Sequence, residues 1–482
     1  MIEIKNFFVK EPDLIFAEKN RFKDPKGGLY LFGPYGQYGD ASYVNITANA
    51  GIIGTSKSIS KVTDFFDRLH KKIPATNENS VDFPGLGIKG KLRFDIRFDE
   101  QWIETIDRDC VEECENKDGR IEKASYLLDL IDQKLDSLHG KQPSPDIIFI
   151  SLPTKLLKMC IPPGQIGLKI ILANRRFGTE LTEEQKKGDY DFHDIIKVMG
   201  MKYQIPTQLI LPPTLSLKGR MTQDLATRAW NLSVATYYKA KGVPWKLTEL
   251  EAGTCYTGIS FYRECDPDGK QSMRAAVARI FTATGEALIL KGDPFECPEY
   301  NRQPRLNYEQ AVSLREKIIT EYKKTHKNPP ERIVVYKTSY FTEEEKKGFL
   351  ETQKNSGKVD LLTLRPSQID WYREGTYPTV RGNVFKTSNS EFFIFTLGYI
   401  PQLKMFPKPG IPIPLKVKIA NLDSSEYKMS QEILSLTRLN WNNANFCDLM
   451  PITISASRRI GNILSEARAR DITIRPEYKY YI

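Results

Sequence analysis

Apolar residues recur along the chain with two different periods, and the pattern changes near residue 243. Before that point, helical periodicity at 59–72 and 121–138 alternates with strand-like runs at 43–53, 92–98 and 146–153. The sequence DIIFISLP at 146–153 is almost continuously apolar, which is typical of a parallel strand buried on both faces. We therefore predict a doubly wound α/β domain in the first half of the chain.

After residue 243 the pattern predicts long antiparallel strands. Three of them form a meander, with DPDG as its first turn, at 255–263, 273–282 and 286–290. The predicted elements that follow are a helix at 308–326, a strand at 332–337, a helix at 342–354 and a strand at 359–365. Three strands, helix, strand, helix, strand is the order of the ribonuclease H fold.

The first 45 residues read as short strands interrupted by Gly and Pro. They end in DPKGGLYLFGPYGQYG at 24–39, which predicts a set of turns. We expect this segment, 1–45, to pack on the body of the protein. A first domain then covers 46–242 and a second covers 243–482.

Composition describes a folded protein with a moderate excess of positive charge. Hydrophobic residues make up 40% and aromatic residues 11% of the 482 positions, which is too much for a disordered chain. The formal net charge of +10 permits an acidic partner such as nucleic acid. It does not require one, because charged residues also cover ordinary solvated surface.

Cysteine and histidine usage favours a reducing compartment and disfavours a metal centre built on these residues. The seven cysteines have no paired spacing, and Cys110 and Cys114 have no second Cys or His pair near them. The four histidines are scattered. No apolar run approaches the roughly 18 residues of a membrane span, so we predict a cytoplasmic protein.

The stretch 193–245 holds four polar side chains that suit a terminal phosphate. His193 and Lys197 share one face of a predicted helix, Gln208 follows a short strand-like run, and Lys239 lies near the end of a second helix. Together they supply an imidazole, two cations and an amide for a phosphate with an unstacked base beside it. Each residue alone is equally typical of a solvated helix face, a loop or a helix end.

The whole stretch resembles the phosphate-binding segment of the MID domain of Argonaute proteins. That family has a Tyr or His, a Lys four residues later, a Gln in an IPTQ-like turn and a Lys in an NLxxxxYxKxGGxPW-like helix. These positions fall here on His193, Lys197, Gln208 and Lys239. The resemblance implies that they hold the 5′ phosphate of a guide strand. The sequence at 24–34 also resembles the DPxxGLxxxGP element that precedes this domain.

The second half resembles the PIWI domain, the ribonuclease H-like domain of Argonautes, through its order of elements and its tail RLNWNNANFCDLMPITISASRRIGNILSEAR. Such enzymes hold two metal ions on carboxylates in a GID-like strand, at an RDG-like strand end and at the start of the last helix. The matching positions here are Ser260, Thr338, and Ser457 or Arg458. A hydroxyl does not replace a carboxylate on Mg²⁺, and Arg458 repels the ion. We therefore predict no target cleavage by this chain.

A chain with only MID and PIWI domains and without the catalytic carboxylates resembles a short prokaryotic Argonaute. The resemblance implies a guide-binding sensor of prokaryotic immunity, in which a 5′-phosphorylated guide RNA pairs with single-stranded DNA of an invading plasmid or phage. The sensor activates an APAZ-containing effector in a heterodimer that oligomerises on activation, and cell death follows. The closing residues EYKYYI resemble those of TIR-partnered members, which favours an NAD⁺-consuming TIR or sirtuin-type effector.

The last residues carry a further expectation from the resemblance. In some MID-PIWI proteins the terminal carboxylate returns to the guide-phosphate site and helps to hold a divalent cation. Here this implies Ile482, with Mg²⁺ at the 5′ phosphate. Tyr480, Tyr481 and Ile482 suit a buried tail.

Three alternatives remain open. The partner effector is a nuclease, or the chain is itself a nuclease that uses the displaced carboxylates Glu264, Asp266 and Asp268, although DPDG is ordinary turn chemistry. In the third alternative, the chain is a protein-binding module that has lost nucleic acid as well as catalysis. The four retained residues of the phosphate segment argue against that last reading.

Overall fold

The computed structural model describes most of the chain. The described residues are 5–37, 46–76, 81–160, 191–216, 223–265, 271–281, 287–295, 304–351, 357–369, 379–407 and 410–482. Within them, no helix has the length and apolar character needed to cross a membrane.

The strands are β1 (Lys5–Phe8), β2 (Leu14–Ile15), β3 (Arg21–Phe22), β4 (Gly36–Gln37), β5 (Ile46–Gly54), β6 (Phe94–Thr105), β7 (Ile147–Ser151), β8 (Thr207–Leu209), β9 (Gly242–Val243), β10 (Lys246–Leu247), β11 (Thr254–Cys265), β12 (Gln271–Phe281), β13 (Ala287–Phe295), β14 (Arg332–Lys337), β15 (Lys358–Pro366), β16 (Asn383–Ser388), β17 (Glu391–Ile394) and β18 (Leu415–Asn421). The helices are α1 (Pro25–Phe32), α2 (Ser56–Leu69), α3 (Arg108–Asn116), α4 (Gly119–His139), α5 (Thr154–Cys160), α6 (Phe192–Lys202), α7 (Pro212–Leu215), α8 (Leu225–Lys239), α9 (Tyr308–His326), α10 (Glu343–Leu350), α11 (Glu426–Leu436) and α12 (Ile452–Ala469).

The chain divides into two compact units. The first unit comprises Met1–Val44, Gly242–Ser465 and Pro476–Tyr478. The second unit comprises Asn45–Lys241, Glu466–Arg475 and Lys479–Ile482. The end of the sequence therefore contributes residues to both units.

The second unit is a parallel sheet with helices on both faces, which confirms the predicted doubly wound α/β domain. Its strand order is β6-β5-β7-β8, and every neighbouring pair is parallel. On one face, Ile148 of β7 packs in a cluster with α4, α5 and α6. On the other face, Phe66 of α2 contacts Phe149 of β7, and Tyr237 of α8 contacts Phe94 of β6.

Two features of this unit differ from the sequence prediction. Strand β6 runs on to Thr105, beyond the predicted 92–98, and its Trp102 is buried and donates a hydrogen bond to the Pro143 carbonyl oxygen at 2.9 Å. Helix α3 was not predicted. It is nine residues long, and its apolar face consists only of Cys110, Val111 and Cys114, of which Cys114 alone is buried, so the signal is short.

The first unit is built on a nine-stranded sheet of order β1-β16-β17-β18-β15-β14-β11-β12-β13. Within it, β11, β12 and β13 are antiparallel neighbours, β14 is parallel to β11, and β15 is parallel to β14. Helices α9 and α10 pack against one face in a cluster that includes Ile259. This arrangement confirms the predicted ribonuclease H order.

The described part of the chain corrects three details of the first unit. The helix predicted at 342–354 ends at Leu350, and the strand predicted at 286–290 continues to Phe295. The four strands that extend the sheet beyond β15 were not predicted, although β18 alternates regularly between apolar residues and lysine as LKVKI; β1, β16 and β17 have only four to six residues each and show no such alternation. The DPDG sequence lies outside the described residues.

The segment predicted as turns at 24–39 contains helix α1. Asp24 caps this helix, since its Oδ2 accepts a hydrogen bond from the Gly27 amide at 2.6 Å, and Pro25 occupies the first helical position. A Cβ on Gly28 would lie 2.1 Å from the Phe16 ring. The cap and this close packing therefore outweigh the poor helix propensity of two glycines.

A buried carboxylate ties the N-terminal segment into the first unit. Glu11 accepts hydrogen bonds from Arg381 and Arg438, each at 2.7 Å, and all three side chains are buried. Arg438 also donates to the carbonyl oxygens of Pro12 and Lys23. Burial raises the pKa of the Glu11 carboxyl, but the two guanidinium groups outweigh that effect and hold this pKa below its ordinary value.

We expect Glu11→Gln to lower the free energy of unfolding by about 3 kcal/mol at neutral pH, because two buried guanidinium groups lose their carboxylate. Asp13→Asn is the matched control. It removes a partly exposed partner of Lys23 on the same segment and should cost less than about 1 kcal/mol. Urea unfolding of both variants measures the difference.

The Glu11 effect should also depend on pH. A carboxyl whose pKa is depressed in the folded state stabilises the protein above its unfolded-state pKa, and this stabilisation is lost as the pH falls through the folded-state pKa. The gap between wild type and Glu11→Gln should therefore close at acid pH. A gap that is unchanged by pH would contradict the role assigned to Glu11.

Candidate functional site

Helix α6, strand β8 and the end of helix α8 bring Lys197, Gln208 and Lys239 together in the second unit. Helix α6 is capped by Asp191, whose Oδ1 accepts a hydrogen bond from the His193 amide at 2.9 Å. Gln208 lies inside β8, not after a strand as predicted. Helix α8 ends at Lys239, which confirms the predicted position of this residue in a last helical turn.

Lys197 is a fully buried cation on α6. Its ammonium group donates to the carbonyl oxygen of Thr207 and to the main-chain oxygen of Ile482, each at 2.5 Å. A Cβ on Gly200 would come 2.7 Å from the Ile205 carbonyl oxygen, so the helix lies directly on the residues before β8. This close approach places the Lys197 ammonium against the strand backbone.

Lys239 reaches the same carbonyl oxygen from α8. It is 1% exposed, and its ammonium group donates to the Thr207 carbonyl oxygen at 3.2 Å and to Gln208 Oε1. Gln208 Nε2 donates to the Leu209 carbonyl oxygen at 3.2 Å, which orients the amide oxygen toward Lys239. Two ammonium groups, those of Lys197 and Lys239, therefore share one acceptor.

The end of the sequence folds into this site. Tyr481 and Ile482 are buried, which confirms the predicted buried tail. The Tyr480 hydroxyl donates to the Gln204 carbonyl oxygen at 2.9 Å, and the Tyr481 hydroxyl donates to the Arg475 carbonyl oxygen at 2.7 Å. These bonds hold the tail so that the Ile482 oxygen meets Lys197.

His193 lies one helical turn before Lys197 on α6, on the same face of the helix. Its side chain is about a quarter exposed, and Nδ1 is 3.5 Å from Asp194 Oδ1. The imidazole and the half-buried Gln208 are thus the more accessible members of the predicted set, while the two lysines lie beneath them.

The arrangement suits a doubly charged anion. Like charges near each other in a buried setting raise the energy of both, and an anion that accepts hydrogen bonds from both groups offsets this. A terminal phosphate carries nearly two charges near neutral pH, whereas a phosphodiester carries one. Such an anion replaces acceptors that Lys197 and Lys239 now find in Thr207, Gln208 and Ile482.

Two of these oxygens are also suitable ligand atoms for a metal ion. The Gln208 amide oxygen and the Ile482 main-chain oxygen are of the type that Mg²⁺ prefers. Both already accept hydrogen bonds from ammonium groups, so a divalent cation is favourable here only together with an anion. The residues therefore fit a metal ion that is bridged to a phosphate. No group of three or more His, Cys, Asp or Glu residues in the described chain is arranged to hold a metal by itself.

In the first unit, Ser260 and Thr338 lie at the same height along two neighbouring parallel strands. Ile259 of β11 pairs in parallel with Lys337 of β14, and the two predicted positions are the residues that follow. The Ser260 hydroxyl oxygen is buried and makes no hydrogen bond with any residue that the structure describes. Lys337 is buried against Glu345 at 2.6 Å, and burial lowers the pKa of this lysine.

Helix α12 places Ser457 at the level of Ser260. The helix packs closely on β11 at two glycines. A Cβ added to Gly258 of β11 would lie 2.0 Å from Thr453 of the helix, and a Cβ added to Gly461 of the helix would lie 2.8 Å from Tyr262 of β11. The eight-residue step from Thr453 to Gly461 along the helix and the four-residue step from Gly258 to Tyr262 along the strand both cover about 12 to 13 Å. Ser457, halfway along, is therefore level with Ser260. Its hydroxyl donates to the Ile454 carbonyl oxygen at 2.8 Å.

The remaining predicted positions are only partly described. Arg458 lies in α12 and Glu264 in β11, but their side chains are outside the described part of the chain. Asp266 and Asp268 lie outside it entirely.

Thr207 is the member of this candidate site that the sequence did not reveal. Both lysines bond to its carbonyl oxygen, and its hydroxyl donates to the Ile196 carbonyl oxygen at 3.1 Å. Every residue type carries a carbonyl oxygen, so no side-chain pattern could mark this one.

No protein-family model matches the sequence, and no curated protein matches it. Several solved structures, however, match the fold of the chain. The chain is similar to Clostridium butyricum Argonaute bound to a guide DNA and a 19-mer target DNA, with a TM-score of 0.62 and 13% identity over 97% of this chain and 53% of that one. It is also similar to A. aeolicus Argonaute, with a TM-score of 0.55 and 17% identity over 97% of this chain and 54% of that one. For Drosophila Piwi the TM-score is 0.59 and the identity 13%, over 98% of this chain and 56% of that one.

The chain thus spans about half the length of these Argonaute structures. At identities of 13 to 17%, this structural similarity shows the fold alone, and the activity has to be argued from the residues. The chain therefore has the mixed α/β fold of the MID-PIWI part of Argonautes, with a Rossmann-like and a ribonuclease H-like unit.

Proposed function

We propose that this chain is the guide-binding sensor subunit of a prokaryotic immune system. It binds the 5′ phosphate of a small guide RNA in the second unit and recognises complementary single-stranded DNA. The observation that carries the proposal is the pair of buried ammonium groups, from Lys197 and Lys239, on the Thr207 carbonyl oxygen beside Gln208.

The chemistry of this site distinguishes a strand end from a strand interior. Two cations beside one amide select a terminal phosphate over a phosphodiester, because the terminal group carries more charge and more free oxygens. His193, more exposed on the same helix face, faces the ligand from the solvent side. When bound, Mg²⁺ at the Ile482 oxygen would add a positive charge at the phosphate.

The first unit supports target recognition without cleavage. A strand-cleaving centre of the ribonuclease H type needs carboxylates for two metal ions. The residues at one level of β11, β14 and α12 are Ser260, Thr338 and Ser457, whose neutral hydroxyls are weak ligands for Mg²⁺. Activity in the immune response is therefore assigned to a partner.

We assign that role to an APAZ-containing effector that forms a heterodimer with this chain and oligomerises on activation. The resemblance of the closing EYKYYI sequence to TIR-partnered members is the reason to prefer an NAD⁺-consuming TIR or sirtuin-type effector over a nuclease. Pairing of guide and target is the signal, and depletion of NAD⁺ with cell death is the outcome. The cytoplasm, where NAD⁺ and invading DNA meet, is the proposed compartment.

A 5′ phosphate should tighten binding of a short RNA at least about tenfold, or about 1.4 kcal/mol. Lys197→Met with Lys239→Met should abolish this difference, because methionine fills the same volume without the charge. Fluorescence anisotropy with 5′-phosphate and 5′-hydroxyl RNA measures it, and chelation of Mg²⁺ should reduce it.

The matched control is Lys202→Met, which removes an exposed, ion-paired lysine from the same helix. It should bind both RNAs as the wild type does, and melting curves should show all variants folded. Equal affinity of the wild type for the two RNAs would rule out the proposed phosphate site.

Residues added after Ile482 should weaken binding of the 5′-phosphate RNA and leave binding of the 5′-hydroxyl RNA nearly unchanged. The reason is that Ile482 is buried with its oxygen on Lys197, so an extension must pull this residue out of the site. The same tag at the N-terminus is the control. If the two tagged proteins discriminate equally well, the tail has no part in the site.

Wild-type protein loaded with guide RNA should leave a labelled complementary DNA intact in Mg²⁺ or Mn²⁺, because hydroxyls occupy the carboxylate positions. Denaturing electrophoresis of the DNA provides the measurement. A cut at one position, fixed by guide length and lost in Ser260→Ala, would show that the chain is a nuclease.

A further inference from the structure

Two exposed cations of the first unit lie on one aromatic ring. The Arg365 guanidinium carbon is 5.5 Å and the Lys418 ammonium 4.6 Å from the centre of the Tyr340 ring. Thr363 donates a hydrogen bond to the Ser339 carbonyl oxygen at 3.1 Å, which fixes the loop that carries Tyr340. We call Tyr340, Arg365 and Lys418 the basic cluster.

The basic cluster lacks a carboxylate partner, unlike three other lysines of the same unit. Lys386, Lys416 and Lys428 are all paired with glutamates, namely Glu426, Glu391 and Glu251. Among the described residues, the side chains of Arg365 and Lys418 form no ion pair or hydrogen bond, and Glu391, which lies opposite Lys418 on β17, is paired with Lys416. Aromatic contact holds them in place and leaves their charge available to an external anion.

The surrounding sequence maintains this charge. No Asp or Glu occurs between Glu391 and Asp423, a stretch with four lysines, and none occurs between Asp360 and Asp370. Glu343 and Glu344 follow Tyr340 in the first turn of α10, where the positive end of the helix dipole offsets their charge.

The cluster lies on the side of the sheet where Ser260 and Thr338 are found. Strands β11, β14 and β15 are parallel, so their carboxyl ends meet along one edge, at right angles to the strands. Arg365 is near the end of β15, and Tyr340 follows β14. Strand β18 runs antiparallel to β15, which brings Lys418 to the same edge through its pairing with Thr363.

We infer that the basic cluster binds phosphate groups of a nucleic-acid strand that runs along this edge of the sheet. The inference rests on the proposed function, because it assigns the same class of ligand a second contact. A nuclease would neutralise the backbone at this edge with metal ions. Here Arg365 and Lys418 supply positive charge at that edge, and Tyr340 positions them.

The test measures binding of a 5′-hydroxyl single-stranded DNA at several salt concentrations, which excludes any contribution of the 5′-phosphate site. Arg365→Gln with Lys418→Gln should weaken binding about tenfold at low salt and reduce the slope of log K against log salt by about 1.4, at about 0.7 per phosphate contact. Both side chains are exposed, so the variant should melt as the wild type does.

Lys386→Gln with Lys428→Gln is the matched control, since it removes the same charge from the same unit but takes cations that have carboxylate partners. It should leave the salt slope unchanged. Tyr340→Phe should retain wild-type binding and Tyr340→Leu should not, because only an aromatic ring holds the cations.

The inference is overturned if the Arg365/Lys418 variant keeps the wild-type slope, or if polyglutamate competes as well as DNA of equal charge. The second result would assign the cluster to an acidic protein. Failure of the guide proposal is a separate outcome, seen as loss of 5′-phosphate discrimination with the salt effect of the cluster intact.

Discussion

Two ammonium groups on one buried carbonyl oxygen constrain the whole second unit. Lys197 and Lys239 arrive from different helices, and the strand between them must present the Thr207 oxygen to both. Close packing of α6 at Gly200, the orientation of the Gln208 amide and the return of the tail to Ile482 all serve that geometry. A buried charge is tolerated only where its hydrogen bonds are met, so a shift in any of these elements is felt at the lysines.

The parts of this site that the sequence predicted are those that side chains encode. Helical spacing set His193 and Lys197 on one face, and a helix stop followed Lys239. The sequence could not show that the shared acceptor is the main chain of Thr207, nor that Ile482 bonds to Lys197. Main-chain acceptors and contacts between distant residues leave no local pattern.

The lack of a local pattern for tertiary contacts also explains the errors in the predicted fold. Strong apolar periodicity located the helix Tyr308–His326 and the strand Arg332–Lys337 without error. Helix α1 was misread as turns, because a capping Asp24 and packing against Phe16 decide its structure and glycine content argues the other way. Helix α3, with one buried residue, carried too little signal to be recognised. Where tertiary contacts overrule local preference, sequence patterns predict the wrong element.

The bond between Lys197 and Ile482 also sets an order of events during synthesis. These residues are 285 positions apart, so at about 5 to 20 residues per second the ribosome needs tens of seconds to deliver the second after the first. Helix α6 and β8 can form early, since they are near in sequence. The hydrogen bonds of Lys197 are complete only when the tail arrives. A nascent or truncated chain would therefore carry a folded parallel sheet without the contact between Lys197 and Ile482, which separates formation of the sheet from completion of the proposed phosphate site.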